Sequence, residues 1–222
     1  MQNGIWVILL AAGDSHGAGF LTTVPATLHE QLTLATTIAP RHRIYTVVTH
    51  EWRHRLEDPL WILPRSNVVT QPERIGTAHG VLLALLRISK REPDASIVLF
   101  PSTQFAQAPH EGSFPDSLRE AASDVTNYPR NVIRLSVEPH SDDANVIVGR
   151  ARALLNLFDA EMVEVMQEID ERASDARVDP IVAADLFDRL SLPHLDFHRH
   201  VLVGEQHHSV QGRLPFELRE SP

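Results

Sequence analysis

The sequence predicts an α/β protein with an open, mostly parallel sheet and a helical C-terminal part. Three observations predict it. Short continuous apolar runs rich in β-branched residues recur up to Val137, as strands buried on both faces require. Between them lie segments whose apolar residues fall at threes and fours, and that alternation argues parallel strands joined by right-handed crossovers. After Val137 the alternation stops and helical spacing takes over.

Each element can be justified in turn. Ile5–Leu10 is apolar throughout and bounded by Gly4 and Gly13, which suits a first strand. Leu28–Ile38 has helical spacing and stops before Pro40. Arg43–Val48 reads as a second strand and Asn67–Gln71 as a short third. Thr77 is placed to cap a helix whose stripe runs through Val81, Leu82, Leu85, Leu86 and Ile88 and ends near Lys90 and Arg91. Ser96–Phe100 is a fourth strand closed by Pro101, Phe114–Val125 a helix, and Asn131–Val137 a fifth strand. The polar stretch 138–144 is turn-rich, and Asn145–Val148 is a brief apolar segment. From Arg150 to about Leu190 the spacing of Leu154, Leu155, Phe158, Met162, Val165, Met166 and Ile169 is helical. Asp179-Pro180 is a plausible further helix start. Residues 1–145 therefore form the α/β core, with 146–222 a mainly helical part packed on the same domain.

Composition narrows the function. At 222 residues and 43% hydrophobic, the chain can bury a substantial core in one domain. The formal net charge is −9, and Lys90 is the one lysine, which argues against a nucleic-acid surface. A small anion held by backbone N–H groups stays open. With no cysteine, disulfides, thiolate catalysis and Cys-based metal sites are excluded. The first apolar run lacks a preceding basic residue and is too short to span a bilayer, so the expectation is a cytoplasmic protein without a membrane partner.

In an open α/β sheet, ligands sit beyond the carboxyl ends of the strands, here residues 11–19, 72–80, 101–105 and 138–145. Leu10-Ala11-Ala12-Gly13-Asp14-Ser15-His16-Gly17, followed by Val24-Pro25-Ala26, resembles a first-strand phosphate loop of the form L-A-G/A-G-x-G-x-R with a later P-K pair. Gln71-Pro-Glu-Arg-Ile-Gly-Thr-Ala-His-Gly80 is similar to Q-P-E-N-R-G-T-A-P-A, and Phe100-Pro-Ser-Thr-Gln104 to F-P-S-D-H. Segments 146–155 and 195–202 resemble parts of the same family's C-terminal half. The family is that of the sugar-1-phosphate nucleotidylyltransferases, and the chain most resembles the mannose-1-phosphate guanylyltransferases. The resemblance implies a Rossmann-like nucleotide-diphospho-sugar transferase fold. It also implies a nucleotide or nucleotide-sugar held by Ala11, Ala12, Gly13, Asp14, Ser15, Gly17, Glu73, Gly76 and Thr77.

The departures fall on the chemistry. The family's reaction, attack of a sugar phosphate on the α-phosphate of an NTP, depends on cations that offset growing oxyanion charge. Gly17 stands at the family's Arg position, Ala26 at its Lys position and Thr103 at its metal-binding Asp. A W-x-D-x-G segment and an E-K-P segment are both missing, and the chain passes from Val137-Glu138-Pro139 to Asn145 where the family builds its sugar site. Removing one oxyanion donor costs about 10²–10³ in rate, so efficient transfer is not expected. No catalytic residue and no metal ligand is assigned, and no cofactor is certain. Mg²⁺ and GTP enter only if residual activity survives.

The sequence thus describes a degenerate guanylyltransferase-like protein that works by binding a nucleotide, a protein partner or a second copy. The alternatives are residual or altered nucleotidyl transfer and a purely structural subunit. Shortening at the sugar site should leave the carboxyl edge of the sheet open, or covered by the helices after Arg150. The apolar stripe of those helices is either an interface or a core face. Among the thirteen histidines, Asp196, His198 and His200 could share one face of a strand, but their family counterpart is helical. His79 and His110 read as surface or ligand-mouth residues. Glu168, Asp170 and Glu171 read as a solvated helix face.

Overall fold

The computed structural model describes residues 4–11, 24–55, 60–71, 76–101, 113–136 and 145–175. Among the described residues, six strands form one sheet: β1 (Ile5–Leu10), β2 (Ile44–Thr49), β3 (Val68–Gln71), β4 (Ser96–Phe100), β5 (Val132–Ser136) and β6 (Asn145–Arg150). The helices are α1 (Val24–Ile38), α2 (His50–Arg55), α3 (Ala78–Arg91), α4 (Ser113–Asn127), α5 (Ala151–Leu155) and α6 (Ala160–Asp175). The spatial order is β3-β2-β1-β4-β6-β5. Strands β1 to β4 pair in parallel, Val7 opposite both Ile44 and Val98, while β6 runs antiparallel to β4 and β5. The sheet is mixed, with five of the six strands pointing one way.

Two apolar layers enclose the sheet. Val7, Leu9, Val48, Val98 and Phe100 face Leu28, Leu32 and Ala35 of α1 and Phe114, Leu118 and Val125 of α4. Trp6, Ile8, Leu10, Val47, Ile97 and Leu99 face α3, α5 and α6. Period-two alternation along strands buried on both sides explains why their sequences read as unbroken apolar runs. Helix α3 returns the chain from β3 across the sheet to β4, and Pro93 follows its C-terminal cap, Glu92.

Several elements depart from expectation. Asn145–Arg150 is a full strand between β4 and β5, so the first residues of the expected helical part belong to the sheet. Uniformly right-handed crossovers are not found. Helices α1 and α4 share one face although β1→β2 and β4→β5 run in opposite directions across the sheet, so those two connections have opposite hands. The other face over β4 and β6 is already covered by α3, α5 and α6. The helical stretch after Arg150 is broken at Asn156–Asp159. Its stripe is core: Leu154, Phe158, Met166 and Ile169 are buried on α3's side, with Leu155, Met162 and Val165 partly buried against them.

Two charged ties fasten these layers. Glu92 accepts from the Gly4 amide at 2.7 Å and the Trp6 indole N–H at 2.9 Å, fixing the start of β1 to the end of α3. Asp170 is buried, not solvated as expected, and takes Arg87 Nε at 2.7 Å and Lys90 Nζ at 2.8 Å, fastening α6 to α3. Burial alone would raise both acids. Hydrogen bonds and neighbouring cations outweigh it, so each carboxyl lies below its usual range.

Candidate functional site

Strand β1 has β2 on one side and β4 on the other, so the loops leaving β1 and β4 diverge at their carboxyl ends. This is the switch point at which open α/β sheets bind ligands. Ala11 extends β1 by one residue, its N–H donating to Val47 O at 2.9 Å. Gln31, at a buried position in the apolar stripe of α1, donates Nε2 to the carbonyl of Pro101 at 3.1 Å. That bond ties α1 to the end of β4 and braces the junction.

Next to the junction, the ends of β2 and β3 are polar and buried. Thr49, Thr70, Gln71, Thr77 and His79 are all nearly inaccessible. Gln71 donates its Nε2 to the carbonyl of Gly76, so the last residue of β3 is tied to the residue two before α3. Gly76 holds φ at 73°, a backbone conformation that favours glycine. Thr77 is the N-cap of α3 but makes no side-chain capping bond. Its carbonyl accepts from Val81 N at 3.1 Å. Gly80 lies directly under this corner, and a Cβ there would collide with the Gln71 side chain and Val47. From α2, Arg53 Nη1 donates to Thr70 Oγ1 at 3.1 Å, while the amide of Trp52 points at Thr49 Oγ1 at 3.4 Å.

Of the expected nucleotide-binding residues, Ala11, Gly76 and Thr77 stand at this carboxyl edge. Ala11 ends β1; Gly76 and Thr77 open α3. Ala12, Gly13, Asp14, Ser15, Gly17 and Glu73 lie outside the described residues, as do Thr103, His110 and the stretch from Asp196 to His200. His79 is fully buried in the first turn of α3, not at a surface or ligand mouth. Sequence reasoning missed Gln31 and Arg53. The signal for Gln31 was one polar residue inside an otherwise apolar helix face. Arg53 had none beyond a cation soon after a strand end.

Chemically, the described edge offers buried strand ends, buried threonine side chains and the partly buried Arg53 guanidinium braced by Thr70. Such groups suit holding an anion. Among the described residues, no three His, Asp or Glu side chains gather as metal ligands would.

No protein-family model and no curated protein matches the sequence. Solved structures resemble the fold, among them two whose alignments span most of this chain. One is the mannose-1-phosphate geranyltransferase of Thermus thermophilus, with TM-score 0.56 and 11% identity over 89% of this chain and 70% of that one. The other is the mannose-6-phosphate isomerase of Helicobacter pylori, with TM-score 0.56 and 11% identity over 93% of this chain and 95% of that one. Identity this low speaks for fold alone. The chain has a nucleotide-diphospho-sugar transferase-like Rossmann fold, with a mixed sheet and helices on both faces.

Proposed function

We propose that this chain is a degenerate mannose-1-phosphate guanylyltransferase-like protein, impaired in nucleotidyl transfer, which acts by binding a nucleotide or nucleotide-sugar and by assembly. The observation that carries it is the corner beyond β3. There the Gln71 side chain holds the Gly76 carbonyl above Gly80, next to the switch point, while Gly17, Ala26 and Thr103 replace the family's charged groups. A corner kept in place while the family's cations are replaced supports binding better than turnover. An anion held by N–H groups needs the turn, whereas transfer needs charge at the developing oxyanion.

Two measurements test this reading. Pyrophosphate release from GTP and mannose-1-phosphate with Mg²⁺ should stay near background. A turnover in the ordinary range of about 1–10³ s⁻¹ would overturn impairment. Thermal shift with GTP, ATP and GDP-mannose, each with and without Mg²⁺, should raise Tm for at least one ligand, by mass action on the folded state. If no ligand moves Tm, the binding half is lost. The alternative, residual or altered nucleotidyl transfer, would show as activity raised by Ala26→Lys with Thr103→Asp.

A further inference from the structure

The amino-terminal pole of the sheet, opposite the crevice, carries a surface that nucleotide binding does not use. Three segments meet there around Asn67: the 3₁₀ turn Arg41–Arg43 before β2, the 3₁₀ turn Arg65–Asn67 before β3, and the last turn of α3. Asn67 Nδ2 donates to the carbonyls of His42 and Ile44, both at 3.0 Å, and Arg91 Nη1 reaches Asn67 Oδ1 at 3.5 Å. Arg43 and Arg91 both lie over the Trp6 ring, at 5.6 and 6.0 Å from its centre. This gathers Arg41, Arg43, Arg65, Lys90 and Arg91 on one pole of a chain whose formal net charge is −9. Glu92 meets Arg43 at 3.4 Å, and Asp170 takes Lys90 and Arg87. Among the described residues, no carboxylate contacts Arg41, Arg65 or Arg91, and all three are exposed. Trp61, just ahead of Arg65, is 78% exposed. Tryptophan among arginines is the composition that interface hot spots favour.

The complementary surface is on the same chain. In α6, Glu161, Glu164 and Glu171 follow one another at three and seven residues and are all exposed. That spacing puts them on one face of the helix, away from buried Met166 and Asp170. Glu161 and Glu164, three residues apart, repel each other, and an opposing cationic surface relieves the repulsion.

The geometry points to a second copy of this chain as the occupant, its α6 glutamate stripe seated on the Arg41/Arg65/Arg91 pole and Trp61 buried between them. The Asp170–Lys90 tie sets α6 alongside the end of α3, so the two surfaces are neighbours on each chain. Neighbouring opposite patches allow a two-fold pair in which both contacts form at once. Exposed ion pairs are individually weak and are screened over about 10 Å at 0.1 M salt, so the pair depends on several of them together. A strongly acidic chain repels nucleic acid at long range, which leaves an acidic protein surface as the match. This inference rests on the assembly half of the proposed function and is independent of nucleotide binding.

The test is sedimentation velocity on the purified full chain over a concentration series at low and high salt. A dimer is expected whose dissociation constant rises at least about tenfold between low and high salt as screening sets in. Arg41→Glu with Arg65→Glu should be monomeric, and so should Glu161→Arg with Glu164→Arg. Mixed one to one, the two variants should pair again, because each reversed patch then meets a reversed partner, and misfolded chains would not do so. A wild-type monomer under all conditions, variants that assemble as wild type, no recovery on mixing, or association only with added RNA would each overturn the proposal. Pyrophosphate and thermal-shift results would stand unchanged in any of these cases.

Discussion

Gly80 sits in a helix, where replacing glycine by alanine ordinarily stabilises by about 0.5–1 kcal/mol. Here the sign should reverse. A methyl group would enter space held by the Gln71 side chain and by Val47, and Gln71 is committed to the Gly76 carbonyl. Either α3 lifts from the ends of β2 and β3 or Gln71 lets go of the turn. Overpacking of this kind costs about 1–3 kcal/mol, or about 2–4 °C in Tm for each kcal/mol at this chain length. Thermal melting of Gly80→Ala checks it, and a Tm at or above wild type would show that the corner is loose. The same variant should weaken whichever nucleotide raises Tm in the wild type, because the turn it disturbs borders the crevice.

At the scale of elements, α6 depends on one buried carboxylate. Asp170 is pulled below the usual carboxylate range because the Lys90 and Arg87 hydrogen bonds and charges outweigh its burial. A depressed pKa contributes stability that is complete above the unfolded value of about 3.9 and is lost as pH falls through the folded value. Asp170→Asn should therefore destabilise by about 1–3 kcal/mol near neutrality, a range kept below that of fully buried pairs because Lys90 is half exposed. The gap between wild type and variant should stay flat above about pH 5 and close below about pH 4. Urea titrations across pH would show this, and a pH-independent gap would mean that the amide has disturbed packing and not charge. Elements carried by their own sequence pattern were legible: β1, β2, β4 and α3 show unbroken apolar runs or a wide stripe. Strand β6 was not, because Asn145 and Arg150 bracket only a few apolar residues and Gly149 weakens the run. The structure explains that glycine: Leu154 folds back so closely that a Cβ would lie 3.1 Å from it. Helix α2, His50–Arg55, has one apolar residue and so no period to read. At the carboxyl edge, Ala11, Gly76 and Thr77 were assigned through local motifs. Gln31 and Arg53 were not, since their contacts join residues 70 and 17 positions apart.

Across the whole molecule, strand β6 bears on how the chain is divided. A division at residue 145, with the part after it held only by packing on the core, would allow that part to unfold first. Yet β6 pairs with β4 on one side and β5 on the other, in register from Ser96↔Arg150 to Leu99↔Ile147. Its Val148 enters the layer with α1 and α4, while Ile147 enters the layer with α3, α5 and α6. Strands β1 and β4 likewise feed both layers. A defect in either layer must then loosen the sheet they share. Leu32→Ala, in α1, and Leu85→Ala, in α3, each empty a fully buried site and should cost about 2–5 kcal/mol. The tryptophans give the readout: Trp52 reports the first layer and Trp6 the second. With only Trp6 or only Trp52 retained, urea unfolding of either leucine variant should give one transition at the same midpoint by both probes and by far-ultraviolet circular dichroism. Midpoints that separate, with the Trp6 layer melting before the Trp52 layer, would show instead that the helices after β6 form a unit of their own.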